Sequence, residues 1–73
     1  MAYRLIYSGR YDKDRIVGRF STLEETLVAA VDRGAVYDDN RIEALEQGRK
    51  TSAWLGVRND AASHFVLELE DVQ

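Results

Sequence analysis

Side chains able to do acid–base chemistry are few and scattered in this sequence. His64 is the single histidine, and there is no cysteine. A nucleophilic serine needs a base beside it, and no nucleophile-elbow motif puts a serine near His64. Asp38 with Asp39, and Glu68 with Glu70, could act as acid and base, but solvated surfaces show the same patterns. We therefore expect no catalytic residue and a protein that is not an enzyme.

A metal or cofactor site is not predicted either. Asp38, Asp39 and Glu43 offer oxygen ligands, but their spacing differs from that of a calcium-binding loop. The glycines form no phosphate-binding loop, because they are scattered over positions 9, 18, 34, 48 and 56. We expect no metal ion and no cofactor.

The N-terminal segment mixes arginines with tyrosines, a combination that can track a phosphate backbone and stack on bases. The pattern predicts that Arg4 and Arg19 face outward, because each alternates with an apolar residue. A nucleic-acid-binding hairpin would use Arg4, Arg10, Arg15 and Arg19 together with Tyr3, Tyr7 and Tyr11. The alternative is a solvated sheet face, which the net charge of −3 favours.

Acidic residues dominate the remainder of the chain. They are Asp38, Asp39, Glu43 and Glu46 in the middle, and Glu68, Glu70 and Asp71 near the C-terminus. If these carboxylates share a surface, they attract a basic groove of another protein, as a nucleic acid does. They also speed association with that protein. We favour this protein-binding interpretation over the alternative, in which the charges serve solubility.

Trp54, the single tryptophan, belongs to the same question. It alternates with Ala53, Leu55 and Val57, so either Trp54 or the three aliphatic side chains face the core. Three aliphatic side chains against one aromatic side chain favour an inward trio and an outward Trp54. An outward Trp54 would serve as an interface anchor or a dimer contact. The alternative is that Trp54 is the largest core residue.

The first half of the chain predicts a hairpin followed by a helix. Period-2 alternation over 2–8 and 15–20 is typical of half-buried strands. The segment "STLEETLVAAVDRG" predicts a helix, with Ser21 and Glu24 as a capping box and Gly34 as its end. Its stripe of Leu23, Leu27, Ala30 and Val31 predicts the side that packs on the sheet.

The segment "YDDNRIEALEQGRKTSAWLG" permits two structures. One is a helix capped by Asn40 and ended by Gly48, and the other is a hairpin that turns at Gly48. An eight-residue helix is marginal alone, so we favour the hairpin. Strands over "TSAWLGVR" and "HFVLELEDV", separated by a turn at "NDAAS", complete the chain.

These elements predict an α+β fold, with one helix on a mostly antiparallel sheet of four to five strands in the order β-β-α-β-β-β. The strand order within the sheet stays open. At 73 residues the chain forms one domain, residues 1–73, with a small core.

Without cysteines, self-association is the remaining way to stabilise so small a domain, so we expect a homodimer through an unpaired edge strand. The longest apolar run, "LVAAV", is too short to span a membrane and no leader opens the chain, so we expect a soluble cytoplasmic protein.

The chain resembles the small anti-CRISPR proteins of phages and mobile elements. The likeness lies in its size, acidity and lack of cysteine, in the capped helix at "STLEETLVAAVDRG" and in the following "RIEALEQGRKTSAWLGV". That family has no common motif, so no functional residue is carried over. The resemblance implies an inhibitor that binds an RNA-guided CRISPR surveillance complex in the bacterial host cytoplasm and blocks DNA binding. We thus expect a non-catalytic macromolecule-binding protein of this inhibitor type. The alternative is a small nucleic-acid-binding module that uses the basic hairpin.

Overall fold

Two hairpins join through the first and last strands of the chain to form one antiparallel sheet. A computed structural model describes residues 2–11 and 13–70. The described elements are β1 Ala2–Ser8, β2 Arg15–Phe20, α1 Leu23–Asp32, α2 Asp39–Glu46, β3 Ser52–Val57 and β4 Asp60–Glu70. The strands lie in the order β2-β1-β4-β3, and every neighbouring pair is antiparallel. The predicted α+β class with an antiparallel sheet is confirmed.

The pairing of β1 with β4 builds the centre of the core. Leu5 lies opposite Leu67 and Tyr7 opposite Phe65, so large side chains from both ends of the chain meet on one face. Leu5, Leu67 and Phe65 are fully buried there, together with Leu55 of β3. Burial of each such side chain stabilises the fold by about 1.5–3 kcal/mol.

Helix α1 starts one residue later than the capping box predicts. Thr22, rather than Ser21, is the N-cap, and its Oγ1 accepts from the backbone N–H of Glu25 at 3.1 Å. The buried Thr26 Oγ1 donates to the Thr22 carbonyl at 2.8 Å, so the helix tolerates a polar residue on its buried side. Gly34 ends the segment with a φ of +95°, the left-handed conformation predicted for it.

The side of α1 that packs on the sheet differs slightly from the predicted stripe. Ala30 is buried and Leu23 and Leu27 are partly buried against the core, but Val31 is exposed. Thr26 occupies the fully buried position instead. The helix is therefore rotated relative to the stripe that apolar spacing alone predicts.

The favoured hairpin over the middle segment is wrong, because Asp39–Glu46 forms helix α2. Its N-cap is Asp38, not Asn40, and the Asp38 side chain accepts from the Arg41 N–H at 3.2 Å. Ile42 and Leu45 are buried in the core. That burial stabilises a helix too short to persist alone. The chain order is therefore β-β-α-α-β-β, and the predicted order with one helix is corrected.

The hairpin formed by β3 and β4 is tighter than predicted. Asn59 adopts a positive φ of 61° in the turn, and β4 begins directly after it at Asp60. Most of the predicted turn at "NDAAS" is therefore strand. The predicted end of the last strand, including Asp71, lies outside the described residues.

Both edges of the sheet discourage further strand pairing. At β3, the Gly56 carbonyl accepts from the Val36 N–H at 2.8 Å, and the Trp54 carbonyl accepts from the Arg41 guanidinium at 3.1 Å. At β2, the register shifts beside Val17 to leave a bulge, and the strand carries arginines. Bulges and charged side chains are two devices that protect edge strands from pairing with another chain.

Among the described helices, neither α1 nor α2 is long and apolar enough to cross a membrane.

The cap of α2 gives a direct test of the corrected segment. Replacing Asp38 with Ala should lower the free energy of unfolding by about 1 kcal/mol, because the Arg41 N–H loses its acceptor. Asp38→Asn should retain most of the stability, since its side chain still accepts. Urea denaturation followed by circular dichroism measures both variants. Equal losses from Asp38→Ala and from the exposed-site control Asp39→Ala would contradict the capping role.

Candidate functional site

The face of the sheet turned away from the two described helices is the open face, and an apolar row crosses it. The pairs Ile6–Ile16, Ile6–Val66 and Trp54–Val66 lie side by side in the register. The row therefore runs Ile16, Ile6, Val66, Trp54 across all four described strands, and Ile16, next to the bulge of β2, also borders a cavity on the helix side. Its two ends are the most exposed, with Ile16 49% and Trp54 47% accessible to solvent. Clustered apolar side chains at a sheet surface are typical of an interaction site.

A charged row lies beside the apolar row. Arg4 faces Arg19 on one side and Glu68 on the other in the register. Arg4 forms an ion pair with Glu68, and the Arg19 Nε donates to a carboxylate oxygen of Glu70 at 3.1 Å. The Arg4 Nε is buried and has no acceptor among the described residues. Each arginine in this row is thus already neutralised by a carboxylate of the same face.

Trp54 is held between two partners. The His64 ring stacks on the indole with a centroid distance of 5.5 Å, and the Arg41 guanidinium carbon lies 5.0 Å from the indole centroid. Arg41 also donates to the Trp54 carbonyl, which ties α2 to the edge of the sheet. A side chain fixed in this way loses little further conformational freedom when a partner binds. The stacked ring and the guanidinium thus hold the half-exposed indole of Trp54 in one place.

Of the predicted basic surface, Arg4 and Arg19 face outward as expected. Tyr3 and Tyr7 do not join them, because both pack against the core on the helix side. The Tyr7 ring lies 5.1 Å from that of Phe65. The tyrosines of β1 therefore do not interleave with the arginines on one face.

The other members of the predicted basic surface lie away from the open face. Arg10 and Tyr11 are exposed in the connection between β1 and β2. Arg15 opposes Tyr7 in the register, and both border a cavity of about 450 Å³ on the helix side, near the end of α1. The structure thus divides the four predicted arginines among the open face, the β1–β2 connection and the cavity on the helix side.

The predicted acidic surface is divided as well. Asp39, Glu43 and Glu46 are exposed on α2, while Asp38 caps that helix and lies 3.7 Å from the Arg41 guanidinium. The pKa of the Tyr37 hydroxyl is raised above its ordinary value, first by desolvation and then by the carboxylates of Asp39 and Glu46. These carboxylates thus form a local negative patch on the helical side of the protein.

Glu68 and Glu70, in contrast, lie on the open face, where their charges meet Arg4 and Arg19. Asp71 lies outside the described residues. The sheet separates these glutamates from α2. The described acidic residues therefore do not form one continuous surface.

Ser63 and His64 point to opposite sides of β4. The Ser63 hydroxyl donates to the Asp60 carboxylate at 2.7 Å and accepts from the Tyr7 hydroxyl at 3.1 Å. This chain of hydrogen bonds satisfies a buried serine and fixes the start of β4. The histidine lies beyond its reach, stacked on Trp54 on the open face. Among the described residues, no three His, Asp or Glu side chains are grouped so as to hold a metal ion.

Sequence reasoning did not find Ile6, Ile16, Val66, Arg41 or His64 as parts of one surface. Alternation already turned Ile6 and Val66 to the outer side of their strands. What it lacked was the strand order, which makes them neighbours. Arg41, the partner of Trp54 on α2, was missed because the middle segment was predicted to be a hairpin and not a helix.

The chain was also compared with known proteins. No protein-family model matches it, and no curated protein or solved structure matches it. Its function is therefore inferred from its own geometry.

The ion pairs of the open face predict a charge effect on nucleic-acid binding. A variant with Glu68→Gln and Glu70→Gln frees Arg4 and Arg19, and should bind single-stranded DNA more tightly than the unchanged protein. Its plot of log affinity against log salt should steepen by about 0.7 for each arginine that engages a phosphate.

Glu43→Gln with Glu46→Gln is the matched control, because it changes the net charge by the same amount on α2. Fluorescence anisotropy with a labelled oligonucleotide at several salt concentrations measures both variants. Equal gains for the two would show that net charge, not the open face, controls binding.

Proposed function

We propose that this protein is not an enzyme and works by binding another protein through its open face. The observation that carries the proposal is the apolar row with Trp54 at its end. Interface cores are apolar and rich in aromatic residues, and polar groups form their rim. The charged row of Arg4, Arg19, Glu68 and Glu70 supplies such a rim. Trp54 is of the residue type that most often dominates binding energy.

The charge distribution favours a protein over a nucleic acid as the partner. Arg4 and Arg19 already meet Glu68 and Glu70, so a phosphate would have to displace a carboxylate at each arginine. The tyrosines of β1 face the core and are not free to stack on bases. An electrostatic track for a phosphate backbone is therefore weak on this face.

A nucleic-acid-binding role is the second candidate, and one observation favours it. Trp54 lies with His64 and Arg41 in a stacked group, and exposed aromatic rings beside a guanidinium bind unpaired bases. In this case the site would take one or two bases rather than a long strand.

Inhibition of an RNA-guided CRISPR surveillance complex is the finer hypothesis within this proposal. Its support is the small size and acidic charge of the chain. The resemblance also used an element order with one helix, and that part of its basis is removed by α2. On this hypothesis the acidic patch of α2, with Asp39, Glu43 and Glu46, would be a second contact for a basic groove.

Affinity capture from a bacterial lysate tests the proposal, with half of the lysate treated with nuclease. The protein should retain a partner in both halves. Trp54→Ala should reduce that retention strongly, since loss of an aromatic hot-spot residue costs about 2 kcal/mol or more, roughly a thirtyfold loss of affinity. Circular dichroism checks that the variant is folded.

Val28→Ala is the matched control, because Val28 is an apolar residue of α1 that is 56% exposed. A variant with Asp39→Lys and Glu43→Lys tests the patch on α2. Equal capture by the unchanged protein and by folded Trp54→Ala would remove the open face from the account. Material retained only without nuclease would move the function to nucleic acid.

A further inference from the structure

We infer that the open face binds a second copy of this chain, packed face to face about a two-fold axis that runs parallel to the strands between β1 and β4. The inference rests on the proposed function, since it names a partner for the same face. It replaces the predicted dimer through an edge strand.

The strand order makes this face self-complementary. A two-fold axis between β1 and β4 exchanges β1 with β4 and β2 with β3 in the facing copy. Within the apolar row, Ile6 then lies over Val66 of the second copy, and Ile16 lies over its Trp54. Each small aliphatic end of the row meets an indole, so large and small side chains alternate across the interface.

The same two-fold axis also makes the charged row complementary to that of the second copy. Arg4 and Glu68 are register partners on β1 and β4, so the axis puts Arg4 over Glu68 of the second copy and Glu68 over its Arg4. The Arg4–Glu68 pair of one copy thus joins that of the other in a group of four alternating charges. An axis along the apolar row would instead stack Trp54 on Trp54 and turn the charged row away from its counterpart. Charge complementarity selects the axis parallel to the strands.

The shape of the molecule fits a face rather than an edge. The bonds from Val36 and Arg41 close the β3 edge, and the bulge and arginines protect β2. The two longer dimensions of the protein are 33 and 24 Å, so an interface that buries roughly 800 Å² per partner must use nearly the whole open face. Two sheets packed in this way form a sandwich with a layer of helices on each outer side.

A dimer of this kind covers Trp54 and leaves the acidic patch of α2 outside. Another protein that uses the open face must then compete with the second copy. Binding of such a partner therefore weakens as the concentration of this protein rises, which a partner bound at α2 would not show.

Sedimentation velocity over a range of concentrations tests the dimer. The unchanged protein should shift from monomer to dimer as concentration rises. Trp54→Ala should raise the dissociation constant by at least about tenfold. Val28→Ala, which changes an exposed apolar residue of α1, should leave the dissociation constant unchanged. Circular dichroism confirms that each variant is folded.

Cross-linking tests the axis, because the chain has no cysteine of its own. In the proposed dimer Arg19 lies over Ser52 of the second copy. The two Arg19 positions are about 17 Å apart, because three strand spacings of about 4.8 Å add at right angles to the roughly 10 Å between two packed sheets. An equal mixture of Arg19→Cys and Ser52→Cys proteins, treated with a short bismaleimide, should therefore give mixed cross-linked dimers well in excess of either homogeneous one.

The outcomes separate the two proposals. A protein that stays monomeric at all concentrations overturns the dimer, while Trp54-dependent capture of another protein by that monomer still supports the proposed function. A dimer that Trp54→Ala leaves intact overturns the inference about the face. A dimer whose homogeneous cross-links predominate overturns the axis.

Discussion

The pairing of β1 with β4 is the constraint on which the rest of this structure depends. It joins the N-terminal and C-terminal strands in one uninterrupted register from Ala2–Glu70 to Ser8–His64. On the helix side that register brings Leu5 against Leu67 and so starts the core. On the open face the same register sets Arg4 beside Glu68 and continues the apolar row from β1 to β4. The pairing of β1 with β4 thus positions both the core and the candidate interface, on opposite faces of the sheet.

The described part of the chain covers one face of the four-stranded sheet, because both described helices pack on the same side. The open face must then be stabilised by its own side chains. Ion pairs at a partly exposed surface contribute little to stability, about 0–1 kcal/mol each. They neutralise Arg4 and Arg19 and lie beside the apolar row. If the open face binds a partner, as we propose, these pairs restrict the class of partner more than they stabilise the fold.

Local patterns predicted the elements whose signals are local. Alternation located β1 and β2, and Gly34 marked the end of α1. Helix α2 was missed because its stability comes from the burial of Ile42 and Leu45, which eight residues of sequence do not reveal. The outward position of Trp54 followed from its alternation with Ala53 and Leu55. Its partners did not, since His64 and Arg41 reach it only through the strand order and the docking of α2.

The most direct test of the account is the methyl NMR spectrum of the three isoleucines, Ile6, Ile16 and Ile42. Two of them lie in the apolar row of the open face, and Ile42 is buried beneath α2. The account predicts that the δ1 methyl signals of Ile6 and Ile16 shift as protein concentration rises or a captured partner is added, while that of Ile42 stays fixed. A spectrum in which Ile42 shifts while Ile6 and Ile16 do not would contradict the assignment of the open face as the binding surface.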